Sequence, residues 1–121
     1  AGGRRMTEAA ILQAICLDLG REPSVRLFRN NTGTLLDQRG KPVSFGLHRG
    51  SGDLIGWRSV TITPDMVGRT VAILASVEVK APRGRPSPEQ LHWATTVRAA
   101  GGIAGIARSP EEARRLLGIA P

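Results

Sequence analysis

The run Thr70-Val71-Ala72-Ile73-Leu74-Ala75-Ser76-Val77-Glu78-Val79-Lys80 decides how the chain is built. It is almost wholly apolar until Glu78, which predicts a central strand buried in a sheet. Val71, Ile73, Ala75, Val77 and Val79 fall on one face of it, with Val79 pointing into the core. Glu78 and Lys80 share the other face, because side chains alternate along a strand. Ser87-Pro88-Glu89-Gln90 follows, with Ser as N-cap, Pro in the first turn and Gln at the capping-box position. It predicts a helix to about Ala99, ended by Gly101-Gly102, and then the short apolar strand Ile103–Ala107. Two strands joined by a helical crossover are expected to be parallel neighbours in a right-handed unit.

Working outward, Ser109-Pro110-Glu111-Glu112 repeats the helix start and predicts a last helix to about Leu117, stopped by Gly118. Upstream, Thr7 is a good N-cap, and Ile11, Leu12, Ile15, Cys16 and Leu19 recur at helical spacing before Gly20. Val25–Arg29 reads as a strand stopped by Asn30-Asn31-Thr32-Gly33. Asp37 to Pro42 has turn chemistry, and Val43-Ser44-Phe45 reads as a returning strand. Leu54–Trp57 is another strand, entered through Gly50-Ser51-Gly52-Asp53. Thr61 to Arg69 is irregular, with Pro64 and Gly68 as breakers. The predicted class is α/β: a small mixed β-sheet flanked by helices, in the order α-β-β-β-α-β-α, with room for a fourth early strand.

The composition suits one globular domain. The 121 residues are 40% hydrophobic and 22% charged, and Tyr is absent, so the core must rest on Val, Ile, Leu and Ala. Net charge is +7, and only Lys41 and Lys80 among the 17 basic residues are not Arg. Guanidinium makes planar, bidentate contacts to phosphate, so the balance favours an anionic polymer over simple coding bias. Cys16 has no partner cysteine and reads as a reduced, buried core residue. No stretch approaches the ~20 apolar residues of a membrane span, and no signal peptide is evident. The expected setting is cytoplasmic and DNA-associated, with a phage genome among the candidate sources. Ala1 to Arg5 before Met6 reads as a native tail or an expression remnant, leaving 6–121 as the folded domain.

The acidic residues carry the chemistry. Hydrolysing a phosphodiester requires neutralising the phosphoryl oxygens and generating hydroxide near neutral pH. Mg²⁺ does both, but it needs hard oxygen ligands and keeps several waters. Asp53 and Glu78 offer two such oxygens from adjacent strands, and the Val79 backbone carbonyl offers a third. Lys80, ~6–7 Å along the strand from Glu78, would orient water or phosphate. A Glu-x-Lys pair alone is more often an exposed ion pair worth under ~1 kcal/mol. Context shifts the balance: the pair ends a buried strand and precedes the basic loop Pro82-Arg83-Gly84-Arg85-Pro86.

These motifs resemble, in order and spacing, the VRR-NUC branch of the PD-(D/E)XK nuclease superfamily. The resemblance rests on Gly50-Ser51-Gly52-Asp53-Leu54-Ile55-Gly56, Val77-Glu78-Val79-Lys80-Ala81-Pro82-Arg83-Gly84 and Ser87-Pro88-Glu89-Gln90. It continues through Gly101-Gly102 to the final Ser-Pro-Glu-Glu. It implies a restriction-endonuclease-like core and a metal-dependent DNA nuclease, with Asp53 and Glu78 as Mg²⁺ (or Mn²⁺) ligands and Lys80 as the catalytic lysine. Gly52-Asp53 stands in place of the Pro-Asp that names the superfamily, which is usual for the branch. Glu8 matches an acidic residue that completes the metal site in many members, directly or through water. An ordinary first-turn Glu favoured by the helix dipole explains it equally well. Gln90 matches the family glutamine and also satisfies the capping box. Among DNA-binding candidates, Arg29, Asn31, His48, Arg49, Ser51, Arg83 and Arg85 flank these motifs, and Arg26 and Asn30 on the early strand and its turn also read as backbone contacts. Arg114-Arg115 reads as a solvated helix end. Trp57 and Trp93 could stack on a base, although packing against the sheet is the commoner fate.

The expected protein is a stand-alone endonuclease leaving a 5′-phosphate. The resemblance extends to Holliday-junction resolvases and so implies a homodimer selective for branched DNA such as Holliday junctions or flaps. The main alternative is a catalytically inactive basic DNA-binding module, against which stands the presence of Asp53, Glu78 and Lys80 together. An RNA-binding accessory protein would need more aromatics. A site-specific restriction enzyme would need extra base-reading segments.

Overall fold

A computed structural model describes residues 7–119; the expected tail 1–5 and Met6 lie outside them. The chain forms two compact units, one ending at Arg58 and the other starting at Ser59. Among the described residues, three helices and six strands make up the mixed α/β class expected. The strands form three two-stranded ladders, two antiparallel and one parallel. None of the helices among the described residues is long and apolar enough to cross a membrane.

In the first unit, α1 (Glu8–Leu19) starts where the Thr7 hydroxyl accepts the Ala10 N–H at 3.1 Å. Cys16 on α1 is half-buried and free, rather than buried as expected. Strands β1 (Val25–Arg29) and β4 (Leu54–Arg58) pair antiparallel, Leu27 facing Gly56. Between them lies a hairpin of β2 (Gly33–Leu36) and β3 (Pro42–Phe45). The Asp37 carboxylate closes its turn by accepting the Arg39 and Lys41 N–H groups, each at 2.8 Å. The second unit has a three-residue 3₁₀ turn (Pro64–Met66) in the irregular stretch. It then runs through β5 (Ala75–Val79), α2 (Pro88–Ala99), β6 (Ile103–Ala107) and α3 (Pro110–Leu116).

The parallel pairing of β5 with β6 across α2 is as expected, in the register Ala75↔Ile103 to Val79↔Ala107. Other expectations change. Five strands precede α2, because β2 forms where no strand was read, directly after the Asn-Asn-Thr stop. The long strand shrinks from 70–80 to Ala75–Val79, because β6 offers only five residues to pair with; single bonds at Leu74 and Lys80 extend the ladder. Finally, β5 pairs with β6 alone among the described residues, so it is not a central strand.

The covered face of β5 is also the opposite of the one expected. Val79 is 75% exposed, whereas Ser76, Glu78 and Lys80 are half-buried. The reason is where α2 lies: Trp93 donates its ring N–H to the Ser76 hydroxyl at 2.8 Å, and Gln90 reaches Glu78. The α3 helix takes the other face of the ladder, at β6, where a Cβ on Gly105 would meet Leu116 at 2.7 Å. Among the described residues, Val97, Ala104 and Ala107 are the buried apolar ones. Small residues on β6 let both helices approach it closely.

Candidate active site

At the end of β5, the Lys80 ammonium lies 3.7 Å from Glu78 Oε1, with the lysine side chain 23% and the glutamate side chain 41% exposed. Gln90 Nε2 donates to the same Oε1 at 2.8 Å. The other end of that amide is occupied by the helix cap, since Gln90 Oε1 accepts the Ser87 N–H at 2.8 Å. The Ser87 hydroxyl in turn accepts the Gln90 N–H at 3.1 Å. The capping box therefore fixes which end of the amide faces the carboxylate. One side chain thus caps α2 and contacts the Glu78 carboxylate. The second Ser-Pro-Glu start differs. Ser109 caps Glu112 at 3.1 Å, but the Glu112 carboxylate turns away from its cap to accept the Arg108 N–H at 2.9 Å.

The basic loop after Lys80 is closed by Gly84 N–H donating to Ala81 O at 2.9 Å, and pinned by Arg108 donating to Gly84 O at 2.9 Å. Arg83 and Arg85 on it are exposed. Arg108 was not among the residues singled out in the sequence. The expected parallel pairing contained the signal: if Val79 sits beside Ala107, residue 108 must arrive beside Lys80 and the start of the loop.

In the first unit, Asp53 stands just before β4, exposed, at the end of the loop that follows β3. Its carbonyl accepts the Asn30 N–H at 2.8 Å. The Asn30 side chain donates to Ser51 Oγ at 2.7 Å and to Gly52 O at 2.9 Å, and accepts the Leu47 N–H at 3.0 Å. Two glycines shape this loop: Gly46 at φ +80° and Gly50 at φ +85° occupy the left-handed region. Glu8 and Asp53 line one surface hollow, with Ile11, Leu12, Ile15 and Leu54 as its apolar wall. Of the DNA-contact candidates here, Arg29, Asn31, His48 and Arg49 are exposed, and Ser51 is half-buried. The His48 ring lies 2.9 Å from Arg49 O. Trp57 packs at 5.5 Å from Phe28.

Among the described residues no three His, Cys, Asp or Glu side chains gather as a metal-holding group. Glu8 and Asp53 in the first unit, and Glu78 in the second, offer carboxylate oxygens, the hard donors that Mg²⁺ and Mn²⁺ prefer.

The family profile of the VRR-NUC domain matches residues 26–111. The chain belongs to the VRR-NUC domain family. No curated protein and no solved structure matches it. The VRR-NUC match contains Asp53, Glu78, Lys80 and Gln90; Glu8 precedes it. Membership carries a nuclease-type function with DNA as its substrate, in a family whose nucleases generally depend on a divalent metal.

Proposed function

We propose that this VRR-NUC protein is a Mg²⁺- or Mn²⁺-dependent DNA endonuclease, selective for branched DNA such as Holliday junctions or flaps and acting as a homodimer. The observation that carries the reading is the Gln90–Glu78–Lys80 cluster, in which a helix cap holds a glutamine against a carboxylate that also faces an ammonium. Glu78, Asp53 and the Val79 carbonyl would hold the ion, with Glu8 completing the set directly or through water. When bound, a divalent ion supplies charge neutralisation at the phosphoryl oxygens and makes water more acidic.

The chain's own groups do the rest. Gln90 keeps the Glu78 carboxylate in one orientation. Lys80 holds the attacking water or a phosphate oxygen by hydrogen bond and charge. Arg83 and Arg85, on the pinned loop, hold the backbone beside the scissile bond, while Arg29, Asn31, His48, Arg49 and Ser51 contact it from the first unit. The product keeps a 5′-phosphate. The two units are read as one nuclease domain, supported by a single family match that runs across residues 58 and 59.

Gln90→Glu separates the two roles of that residue. A carboxylate still accepts the Ser87 N–H, so thermal stability should change by less than ~1 kcal/mol. It also sets a second negative group against Glu78, so cleavage should fall about 10- to 100-fold. Unchanged cleavage would assign Gln90 to the cap alone.

The function is tested by incubating the protein with labelled four-way junction, flap and linear duplex DNA, in Mg²⁺, Mn²⁺ or chelator. Divalent-dependent cutting, strongest on a branched substrate, is expected. Cutting that survives chelation removes the metal mechanism, and equal cutting of linear duplex removes the shape selectivity. Sedimentation at micromolar protein should show a dimer; a monomer counts against two-fold action.

A further inference from the structure

We propose that Asn30 is a positioning residue for the metal site, clamping the loop that ends at Asp53. This rests on the reading of Asp53 as a metal ligand. Asn30 follows the last residue of β1 and uses its backbone N–H and both ends of its side-chain amide on one loop. Its backbone N–H holds Asp53 O at 2.8 Å, and its side-chain amine holds Gly52 O at 2.9 Å and Ser51 Oγ at 2.7 Å. The side-chain oxygen accepts the Leu47 N–H at 3.0 Å, so both ends of the 47–53 segment are tied to one residue. Gly46 and Gly50 give that segment left-handed turns that it could otherwise leave, and Asp53 itself is exposed. Strand β1 anchors the clamp, because Arg29 is paired with Leu54 on the far side of Asp53. The carboxylate therefore starts from a backbone fixed on both sides. Asn31, the neighbouring residue named as a DNA contact, is exposed and makes none of these bonds.

A group that orients a ligand from behind is worth about 10- to 100-fold in metal affinity. The experiment titrates Mn²⁺ into the full chain without DNA, following binding by calorimetry, for the parent, Asn30→Ala, Asn30→Asp and Asp53→Ala. Asn30→Ala should weaken Mn²⁺ binding by that factor. It should also raise the Mn²⁺ concentration needed for half-maximal cleavage, with the rate at saturating Mn²⁺ recovering toward the parent's. Asn30→Asp keeps the acceptor for Leu47 but sets an oxygen against Gly52 O, so it should fail to rescue. Amide exchange supplies the structural readout: the Leu47 N–H should be protected in the parent and lose protection in Asn30→Ala.

Parental Mn²⁺ affinity in Asn30→Ala, with Asp53→Ala impaired, overturns the clamp while leaving the ligand reading intact. Parental affinity in Asp53→Ala overturns the ligand reading itself. A lower melting temperature with a reduced rate that Mn²⁺ does not restore assigns Asn30 to folding only and overturns the proposal. If Asn30→Ala does not fold, rapid exchange of the Leu47 amide in the parent overturns it equally.

Discussion

Glu78→Gln is expected to lower divalent-dependent cleavage on the order of 10²- to 10³-fold while DNA binding and folding persist. The substitution keeps the shape of the side chain and an oxygen that can accept the Gln90 amine, so the cap of α2 has no reason to loosen. What disappears is the negative charge. Its partner in the fold is Lys80 at 3.7 Å, and both side chains are partly exposed. Such a pair contributes under ~1 kcal/mol, so stability should scarcely move. Its proposed use in catalysis is different in kind, because a neutral amide is a poor ligand for a divalent ion and leaves the charge developing at phosphorus uncompensated. Lys80→Met should be similarly inactive by the complementary loss, with the Glu78–Gln90 bond intact. Cleavage rates set beside melting curves and DNA-binding isotherms check both variants. Near-parental cutting by Glu78→Gln would mean that this carboxylate is only a surface ion-pair partner.

Gly56→Ala should be the most damaging small substitution in the first unit. A Cβ at Gly56 would lie 1.8 Å from Arg26 O, 2.8 Å from Arg26 C and 2.9 Å from Leu27 Cα. All three are backbone atoms of β1, held in the antiparallel ladder opposite β4, so no flexible side chain can swing aside. Overpacking in a well-ordered site costs about 1–3 kcal/mol, occasionally more, and this contact belongs at the upper end. For a domain near this size that corresponds to a fall in melting temperature of roughly 10–20 °C. Because β4 begins directly after Asp53, activity should fall with it. A variant melting at the parental temperature would show that β1 and β4 do not approach each other in this register.

Local rules carried much of this architecture into the sequence. Ser87 and Ser109 announced their helices because a hydroxyl followed three residues on by Gln or Glu is a signal contained within four positions, and Thr7 did so as an N-cap ahead of apolar residues at helical spacing. The crossover through α2 predicted the parallel β5–β6 pair. What failed depended on partners distant in sequence. Whether Thr70 to Leu74 joins a strand is settled by the length of β6, and which face of β5 is covered is settled by where α2 lies. Neither can be read from an alternating apolar run, and Val79 shows it: the same alternation fits either face.

The candidate site divides along the same line. Glu78, Lys80 and Gln90 were legible because a strand end and a helix cap fall close together in the chain. The fit of Gln90 to two tasks at once followed from the capping box. Asn30 and Arg108 were harder to see, since each acts on a loop through bonds to main-chain carbonyls, which carry no signature in the identity of the residues they reach. Asn30 reads in the sequence as a strand-ending turn residue and a DNA-backbone contact, and its four bonds to the 47–53 segment emerge from the fold.

The central claim is that Asp53 and Glu78 ligate the same divalent ion. Anomalous scattering from a Mn²⁺-soaked crystal addresses it without reference to activity. The account predicts one manganese peak with carboxylate oxygens of both residues at coordination distance and the Lys80 ammonium nearby. A peak on one carboxylate alone, or manganese elsewhere with both carboxylates unligated, would contradict it.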